Sequence, residues 1–298
     1  MIMKKKIFLS LFILLALFTI TGCGGNKSND SGNVKDVQDV KQNEGNDTKT
    51  LSKANITETV ILDKGGIKVT AKSISYDNWS GPEIKVLIEN NSSENVTIQA
   101  RKFSINGIMM DPTFSAEVNA GKKANDTISI FSSDLEAAQI TTIKDIEFGL
   151  DVFNSDSWND IFKQEGIKLE TNAKDYVQKY NTDGKLVVDQ NNIKIYVLKK
   201  DDKDSFWGAD IYVYIENNSS QDITVQARDV SIDGFMIDPT FSSDVSAGKK
   251  AYDTITFHES DLKDNDITDI KEIELKFDVF NADSWNDIFK TDTKKISF

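Results

Sequence analysis

The chain has 298 residues, of which 39% are hydrophobic and 28% charged, and a formal net charge of −13. This length allows about two globular domains, each with a core of its own. The acidic balance excludes a protein that holds nucleic acid through a basic surface, so we predict no nucleic-acid partner.

The first 23 residues have the pattern of an export signal. Three lysines lie in residues 1–6, residues 7–20 are almost wholly apolar, and two small residues precede Cys23. As a helix, the apolar run would reach only about 21 Å, short of the roughly 30 Å hydrocarbon layer. The pattern therefore predicts a signal peptide over residues 1–22 rather than a membrane-spanning helix.

The tetrapeptide Ile20-Thr21-Gly22-Cys23 resembles the bacterial lipobox. The resemblance implies that the Cys23 thiol receives a diacylglycerol and that residues 1–22 are removed. Because two acyl chains hold a protein durably on a membrane, we predict a lipoprotein anchored at the extracytoplasmic face of the cell membrane. The removed peptide contains three lysines and no acid, so the net charge becomes −16. Cys23 is the only cysteine, which leaves none for a disulfide.

Residues 24–55 are rich in Gly, Asn, Ser, Asp, Lys and Gln and contain few large apolar side chains. Such a composition cannot bury enough apolar surface to offset the entropy lost on ordering. We therefore predict that residues 23–55, from the lipidated Cys23 onward, form a disordered tether.

An internal duplication dominates the rest of the chain. Residues 82–162 align without a gap onto residues 209–289 at a constant offset of 127, and about 50 of the 81 pairs are identical. A period of this length is too long for a solenoid repeat and long enough for an independent core. We predict a first repeat over residues 56–171, a polar linker over 172–183 and a second repeat over 184–298.

Within each copy, apolar residues recur at every second position and β-branched residues are abundant, as in residues 67–71, 84–88 and 96–100. These patterns predict half-buried strands. Asn106-Gly107 and its counterpart Asp233-Gly234 favour two-residue hairpin turns. Seven or eight short strands per copy predict an all-β fold of two tandem immunoglobulin-like β-sandwich domains. One helical turn is expected over residues 156–162, capped by Asp156.

Three motifs resemble known domains: Asn-Asn-Ser-Ser after a strand, an Asp-Pro-Thr-Phe loop and a terminal Asp-Ser-Trp segment. In this combination the repeats resemble immunoglobulin-like domains of unknown function in secreted and lipid-anchored proteins of Gram-positive bacteria. The resemblance covers about three quarters of the chain. It implies a fold and neither a catalytic residue nor a ligand.

Several kinds of active site are excluded by residue type. The sole histidine, His258, corresponds to Phe131 in the first copy, which excludes a shared Ser-His-Asp site. Zinc sites need several His or Cys ligands, and a glycine-rich phosphate loop is absent from the sequence. We predict that the protein is not an enzyme and has no cofactor.

Oxygen ligands crowd one segment of each copy, and these residues are weak candidates for a calcium site. Their spacing does not match an EF-hand loop, and the same side chains equally suit an Asx turn and a helix cap. The candidates are Asp151, Asp156 and Asp160 in the first copy and Asp278, Asp283 and Asp287 in the second.

Arginine occurs only twice, beside 33 lysines, and Arg101 and Arg228 occupy the same position in the two copies. A planar guanidinium suits bidentate carboxylate pairing, so a partly buried ion pair with a neighbouring aspartate is the favoured interpretation. The alternative is that each arginine clamps an anionic ligand near the Asp-Pro-Thr-Phe loop. The candidate ligand-binding residues are Arg101, Asp111 and Phe114 in the first copy and Arg228, Asp238 and Phe241 in the second.

The tryptophans also pair across the copies, Trp158 with Trp285 and, one residue out of register, Trp79 with Trp207. We interpret them as core or edge-covering side chains rather than sugar platforms. The main functional hypothesis is a non-catalytic module whose two copies bind a protein or a cell-wall polymer with avidity. The alternatives are a glycan hydrolase that uses shared carboxylates and a calcium-rigidified structural spacer.

Overall fold

The structure is a computed structural model that describes residues 51–201 and 208–298. The predicted signal peptide, Cys23 and residues 24–50 of the predicted tether lie outside the described residues, as does Trp207. Among the described residues, no helix has both the length and the apolar character needed to cross a membrane.

Residues 56–171, all of which the structure describes, contain nine strands and one short helix. In chain order they are β1 (Thr59–Lys64), β2 (Ile67–Ser75), β3 (Glu83–Asn90), β4 (Val96–Ile105), β5 (Ile108–Met109), β6 (Ser115–Val118), β7 (Lys123–Ser129), α1 (Ser132–Ala137), β8 (Asp145–Asn154) and β9 (Asp160–Glu170).

The second repeat follows the same plan, with its last strand interrupted. Its elements are β10 (Lys185–Gln190), β11 (Ile193–Asp201), β12 (Gly208–Asn217), β13 (Ile223–Ile232), β14 (Phe235–Met236), β15 (Ser242–Val245), β16 (Lys250–His258), α2 (Glu259–Asp264), β17 (Glu272–Asn281), β18 (Asp287–Lys290) and β19 (Lys294–Ser297).

Each repeat forms two antiparallel sheets. In the first repeat, one sheet has the order β1-β2-β3-β7, and in the other β5 and β6 pair with β4, followed by β8 and β9. Strands β2, β3 and β7 correspond to strands A, B and E of an immunoglobulin domain, and β4, β8 and β9 correspond to C, F and G. The predicted all-β, immunoglobulin-like fold is therefore confirmed.

The cores follow the predicted alternation. One cluster of buried residues extends from Ile56 to Leu169 and the other from Val188 to Ile296, so each repeat packs a core from its own strands.

The hairpin turns are also as predicted, since Asn106 and Gly107 both have positive φ (52° and 78°) and connect the paired residues of β4 and β5.

A buried asparagine ties the two sheets of each repeat together. Asn90, at the end of β3, donates from its amide to the carbonyls of Glu94 and Val118 (2.7 and 2.8 Å) and accepts from the Ser92 amide (3.0 Å). Val118 ends β6 in the other sheet, so one side chain links both layers and shapes the turn. Asn217 makes the matching bonds in the second repeat.

Residues 51–55, which the sequence assigns to the tether, lie against the first repeat. Ala54 is buried and its carbonyl accepts a hydrogen bond from the Tyr76 hydroxyl (2.6 Å). The Asn55 side chain accepts from the Ile74 amide (2.8 Å), and the Asn55 amide donates to Asn172 Oδ1 (2.9 Å). This segment therefore fixes both the edge of the first repeat and the beginning of the linker.

The repeats also contact each other through the β4–β5 hairpin of the first. The Lys250 amide donates to the Gly107 carbonyl (3.0 Å), and Ile108 forms a parallel bridge with Lys250. Lys249 Nζ lies 2.8 Å from Glu147. The linker residue Tyr180 donates from its hydroxyl to the Asn106 carbonyl (3.1 Å), so linker and second repeat cover the hairpin together.

The predicted helical turn after β8 is wrong. Asn154 rather than Asp156 organises this loop, because its Oδ1 accepts from the Asp156 amide (3.0 Å), the Ser157 amide (2.8 Å) and the Ser157 hydroxyl (3.0 Å). The resulting Asx turn competes with helix formation and leads directly into β9. The helices that do form, α1 and α2, begin after Phe131 and His258 without a side-chain cap.

Candidate functional site

Both arginines lie at corresponding points on the outer face of their sheets. Arg101 Nε is 3.5 Å from Asp151, and its guanidinium also donates to Gln99 and to the Ala100 carbonyl. Arg228 Nε is 3.8 Å from Asp278. Each arginine is about half exposed, so these are surface ion pairs with one aspartate each.

Only part of the Asp-Pro-Thr-Phe loop lies near an arginine. Phe114 is buried in the first core, whereas Phe241 is partly buried and packs edge-on against Phe277 in the second. Asp238 is exposed. Asp111 and Arg101 line the same cleft. Of the predicted ligand-binding residues, the structure therefore brings these two to one cavity.

That cleft lies between the two repeats and has a volume of about 810 Å³, within the size range of small-molecule sites. Its basic side chains are Arg101, Lys102 and Lys163. Lys102 Nζ lies 2.8 Å from Asp222 across the cleft. The hydrogen bond with Asp222 raises the pKa of Lys102.

Acidic side chains from both repeats meet in the cleft. Burial raises the pKa of Asp253, although the Thr254 amide and the Ser243 hydroxyl donate to it, and nearby Asp111 and Asp244 add repulsion. Burial likewise raises the pKa of Asp134 in α1. Asp134 and Asp253 are not counterparts at the offset of 127, so the duplication does not reproduce this acidic group in each repeat.

The predicted calcium ligands are separated in the structure. Asp151 and Asp160 both face Lys163 (3.6 and 3.8 Å), while the Asp156 carboxylate lies 3.4 Å from Asn95 Nδ2. The second repeat divides its aspartates in the same way: Asp278 and Asp287 face Lys290, and Asp283 lies 3.9 Å from Lys102. In residues 51–201 and 208–298, no three acidic, His or Cys side chains form a group that could hold a metal ion.

Two tryptophans at corresponding positions of the duplicated segment are largely exposed. Trp158 follows the Asx turn after β8 and is 69% exposed, and Trp285 follows the matching turn after β17 and is 64% exposed. Each indole stacks on a buried phenylalanine at a centroid distance of 5.4 Å, Trp158 on Phe153 and Trp285 on Phe280. They are edge-covering side chains that leave most of the ring surface to solvent.

Both tryptophans hold an unfavourable backbone conformation. Each has φ of 60°, in the left-handed region that costs a non-glycine residue about 1–2 kcal/mol. The Trp158 amide donates to the Asn154 carbonyl (2.9 Å), and the Trp285 amide donates to Asn281 in the same way. Both loops therefore hold a tryptophan in a strained backbone conformation, and in both the result is an exposed indole.

Comparisons with protein-family models and with curated proteins found no match for this chain. Among solved structures, the YadV chaperone aligns at 12% identity over 72% of this chain and 92% of its own, with a TM-score of 0.22. The Salmonella enterica SafA pilin in complex with the SafB chaperone aligns at 8% identity over 72% of this chain and 89% of that chain, with a TM-score of 0.20. At these scores the likenesses support no argument about function.

A red sea bream transglutaminase also aligns, at 8% identity and a TM-score of 0.21. The alignment covers 83% of this chain and 31% of the transglutaminase, so this chain spans about a third of that protein. This likeness equally supports no argument about function.

Replacing Asp253 by Asn should stabilise the protein at neutral pH. Because the pKa of Asp253 is raised, the folded chain holds the proton of the Asp253 carboxyl more tightly than the unfolded chain does. The free energy of unfolding therefore falls as pH rises from the unfolded-state pKa of this group through its folded-state pKa. We expect Asp253→Asn to raise Tm at pH 7 by about 2–4 °C, the effect of about 1 kcal/mol in a chain of this size.

The advantage of Asp253→Asn should disappear below about pH 4, where an aspartate is protonated in the unfolded chain as well. Asp126→Asn is the matched control, because Asp126 is the counterpart of Asp253 and its Oδ1 also accepts from the next amide (2.7 Å), but it does not line the cleft. Thermal melts from pH 3 to 8 test this. A lower Tm for Asp253→Asn at pH 7 would show that the carboxylate stabilises the cleft.

Proposed function

We propose that this protein is a non-catalytic binding module of the bacterial cell envelope that uses its two tryptophan loops to hold a repeating polymer outside the membrane. The observation that supports it is the duplicated display of Trp158 and Trp285, exposed, stacked and fixed by the same Asx turn. An exposed indole offers a large, rigid contact surface to a sugar or other ring.

Duplication favours a repeating ligand. Two like sites on one chain bind a polymer of repeated units with an affinity well above that of either site, because the second contact is intramolecular. The loops occupy positions of the F–G loop, at the end of the sandwich where immunoglobulin variable domains place their binding loops. The cleft acids, in contrast, are assembled once from unlike positions, which favours binding over shared-carboxylate catalysis.

The proposal includes lipid anchoring at Cys23 on the extracytoplasmic side of the membrane of a Gram-positive bacterium. The apolar run, the small residues and the single cysteine directly after them support this part. Replacing Cys23 by Ser should move the protein from the membrane fraction to the soluble fraction of fractionated cells. A Cys23→Ser protein that remains in the membrane fraction would contradict a lipid anchor.

Binding is tested with purified cell walls of the source organism and the unlipidated chain from Gly24 onward. Trp158→Ala or Trp285→Ala alone should weaken the apparent affinity by about tenfold or more through lost avidity, and the double variant should abolish it. Trp79→Ala is the matched control, because Trp79 is 95% exposed but lies in the β2–β3 connection outside both loops. Its binding should equal that of the parent.

Protease treatment of the walls separates the two kinds of partner. Binding that survives this treatment and requires both tryptophans supports a polymer ligand. Binding that protease removes would assign the loops to a protein partner, and equal binding by the parent and the double variant would contradict the function of the loops.

A further inference from the structure

The second repeat exposes a hairpin that is covered in the first repeat. The β13–β14 hairpin has the same two-residue turn as its counterpart, with Asp233 and Gly234 at positive φ (48° and 92°). Phe235 and Met236 are 49% and 68% exposed, whereas Ile108, the counterpart of Phe235, is fully buried. Strand β14 also lies at the edge of its sheet.

The first repeat shows what covers such a hairpin. The surface that receives it belongs to the sheet β10-β11-β12-β16 and to the linker, and it is rich in tyrosine. Tyr214 stands at the centre, with ring centroids 4.7 Å from Tyr252, 5.8 Å from Tyr196 and 6.5 Å from Tyr180. Met109, the counterpart of Met236, packs against the second core from this side.

Charge complements the aromatic surface. Lys249, in the turn before β16, pairs through Nζ with Glu147 of the first repeat, and the Lys250 backbone amide donates to the Gly107 carbonyl. The exposed hairpin offers the same acceptors with added charge. Glu274 is the counterpart of Glu147, and Asp233 stands where the first repeat has Asn106. A lysine in such a turn would thus meet the Glu274 carboxylate, and Asp233 adds a negative charge to the turn of the hairpin.

We propose that the exposed β13–β14 hairpin docks an immunoglobulin-like domain of another protein, through a partner sheet face that bears tyrosines and a lysine-containing turn. A second copy of this chain is not the occupant, because its own tyrosine face already holds its first repeat. Methionine adapts its shape to a partner surface, and an aromatic side chain supplies a buried anchor. This surface is separate from the tryptophan loops.

The chain itself provides a probe of the stated chemistry. Phe298 corresponds to Thr171, the residue before the linker, at the offset of 127. A chain extended after Phe298 by a second copy of residues 172–298 therefore presents a tyrosine face to the hairpin at the same point of the chain. Hydrogen exchange of the amides of residues 233–236 is compared with that of the unextended chain, and far-UV circular dichroism confirms that the added module folds.

We expect these amides to exchange at least tenfold more slowly in the extended chain. The protection should be lost with Met236→Asp in the host and with Tyr214→Leu plus Tyr252→Asn in the added copy, which restores the residues of the first repeat, Leu87 and Asn125. Unchanged exchange beside a folded added module would overturn the proposal. Trp158→Ala and Trp285→Ala should leave the protection intact, so failure of the binding function and failure of this docking are distinguishable.

Light scattering of the unextended, unlipidated chain tests the alternative occupant. A monomer at tens of micromolar is the expected result. A dimer that Met236→Asp dissociates would overturn the proposal, because it would make a second copy the partner.

Discussion

The arrangement of the two repeats depends on one covered hairpin. Ile108 is fully buried where it forms a bridge with Lys250, and Tyr180 of the linker donates to the carbonyl of Asn106 at the turn. Without this contact, each repeat would be an independent sandwich on a polar linker. With it, β5 extends a sheet of the second repeat, the cleft acquires walls from both copies, and the two tryptophan loops keep a fixed relation.

The contact between the repeats combines positions that the copies share with positions at which they differ. Lys249 and Glu147 are shared, since their counterparts are Lys122 and Glu274. Lys102 pairs with Asp222, whereas the counterparts of these residues are Asp229 and Asn95. Burial raises the pKa of Asp222, but hydrogen bonds from Lys102 and the Ala247 amide outweigh it, so the net pKa lies below the usual range. Divergent residues such as Lys102 and Asp222 therefore add to a contact that shared residues also form.

Much of the fold could be predicted from the sequence. Alternation of apolar residues gives the strands, the Asn-Gly and Asp-Gly pairs give the hairpins, and the offset of 127 gives two cores. The tryptophan loop could not be predicted in this way, because Asn154 and Asp156 are both competent caps and only the hydrogen bonds show that Asn154 prevails. The sequence predicts Phe114 as a ligand-binding residue because it follows the Asp-Pro-Thr turn, but its side chain lies in the core. The contact between repeats could not be predicted from the pattern of either copy alone, because Lys102 and Asp222 come from different copies and their counterparts, Asp229 and Asn95, are not an ion pair of the same kind.

Rotational diffusion tests the central claim, that the covered hairpin makes one rigid body of two repeats, most directly. Backbone ¹⁵N relaxation of the unlipidated chain should give both repeats the same overall correlation time, appropriate to their combined mass, with residues 105–109 and 176–183 as ordered as the strands. Separate, shorter correlation times for the two repeats would contradict the account, because the tryptophan loops would then be two independent sites on a flexible linker.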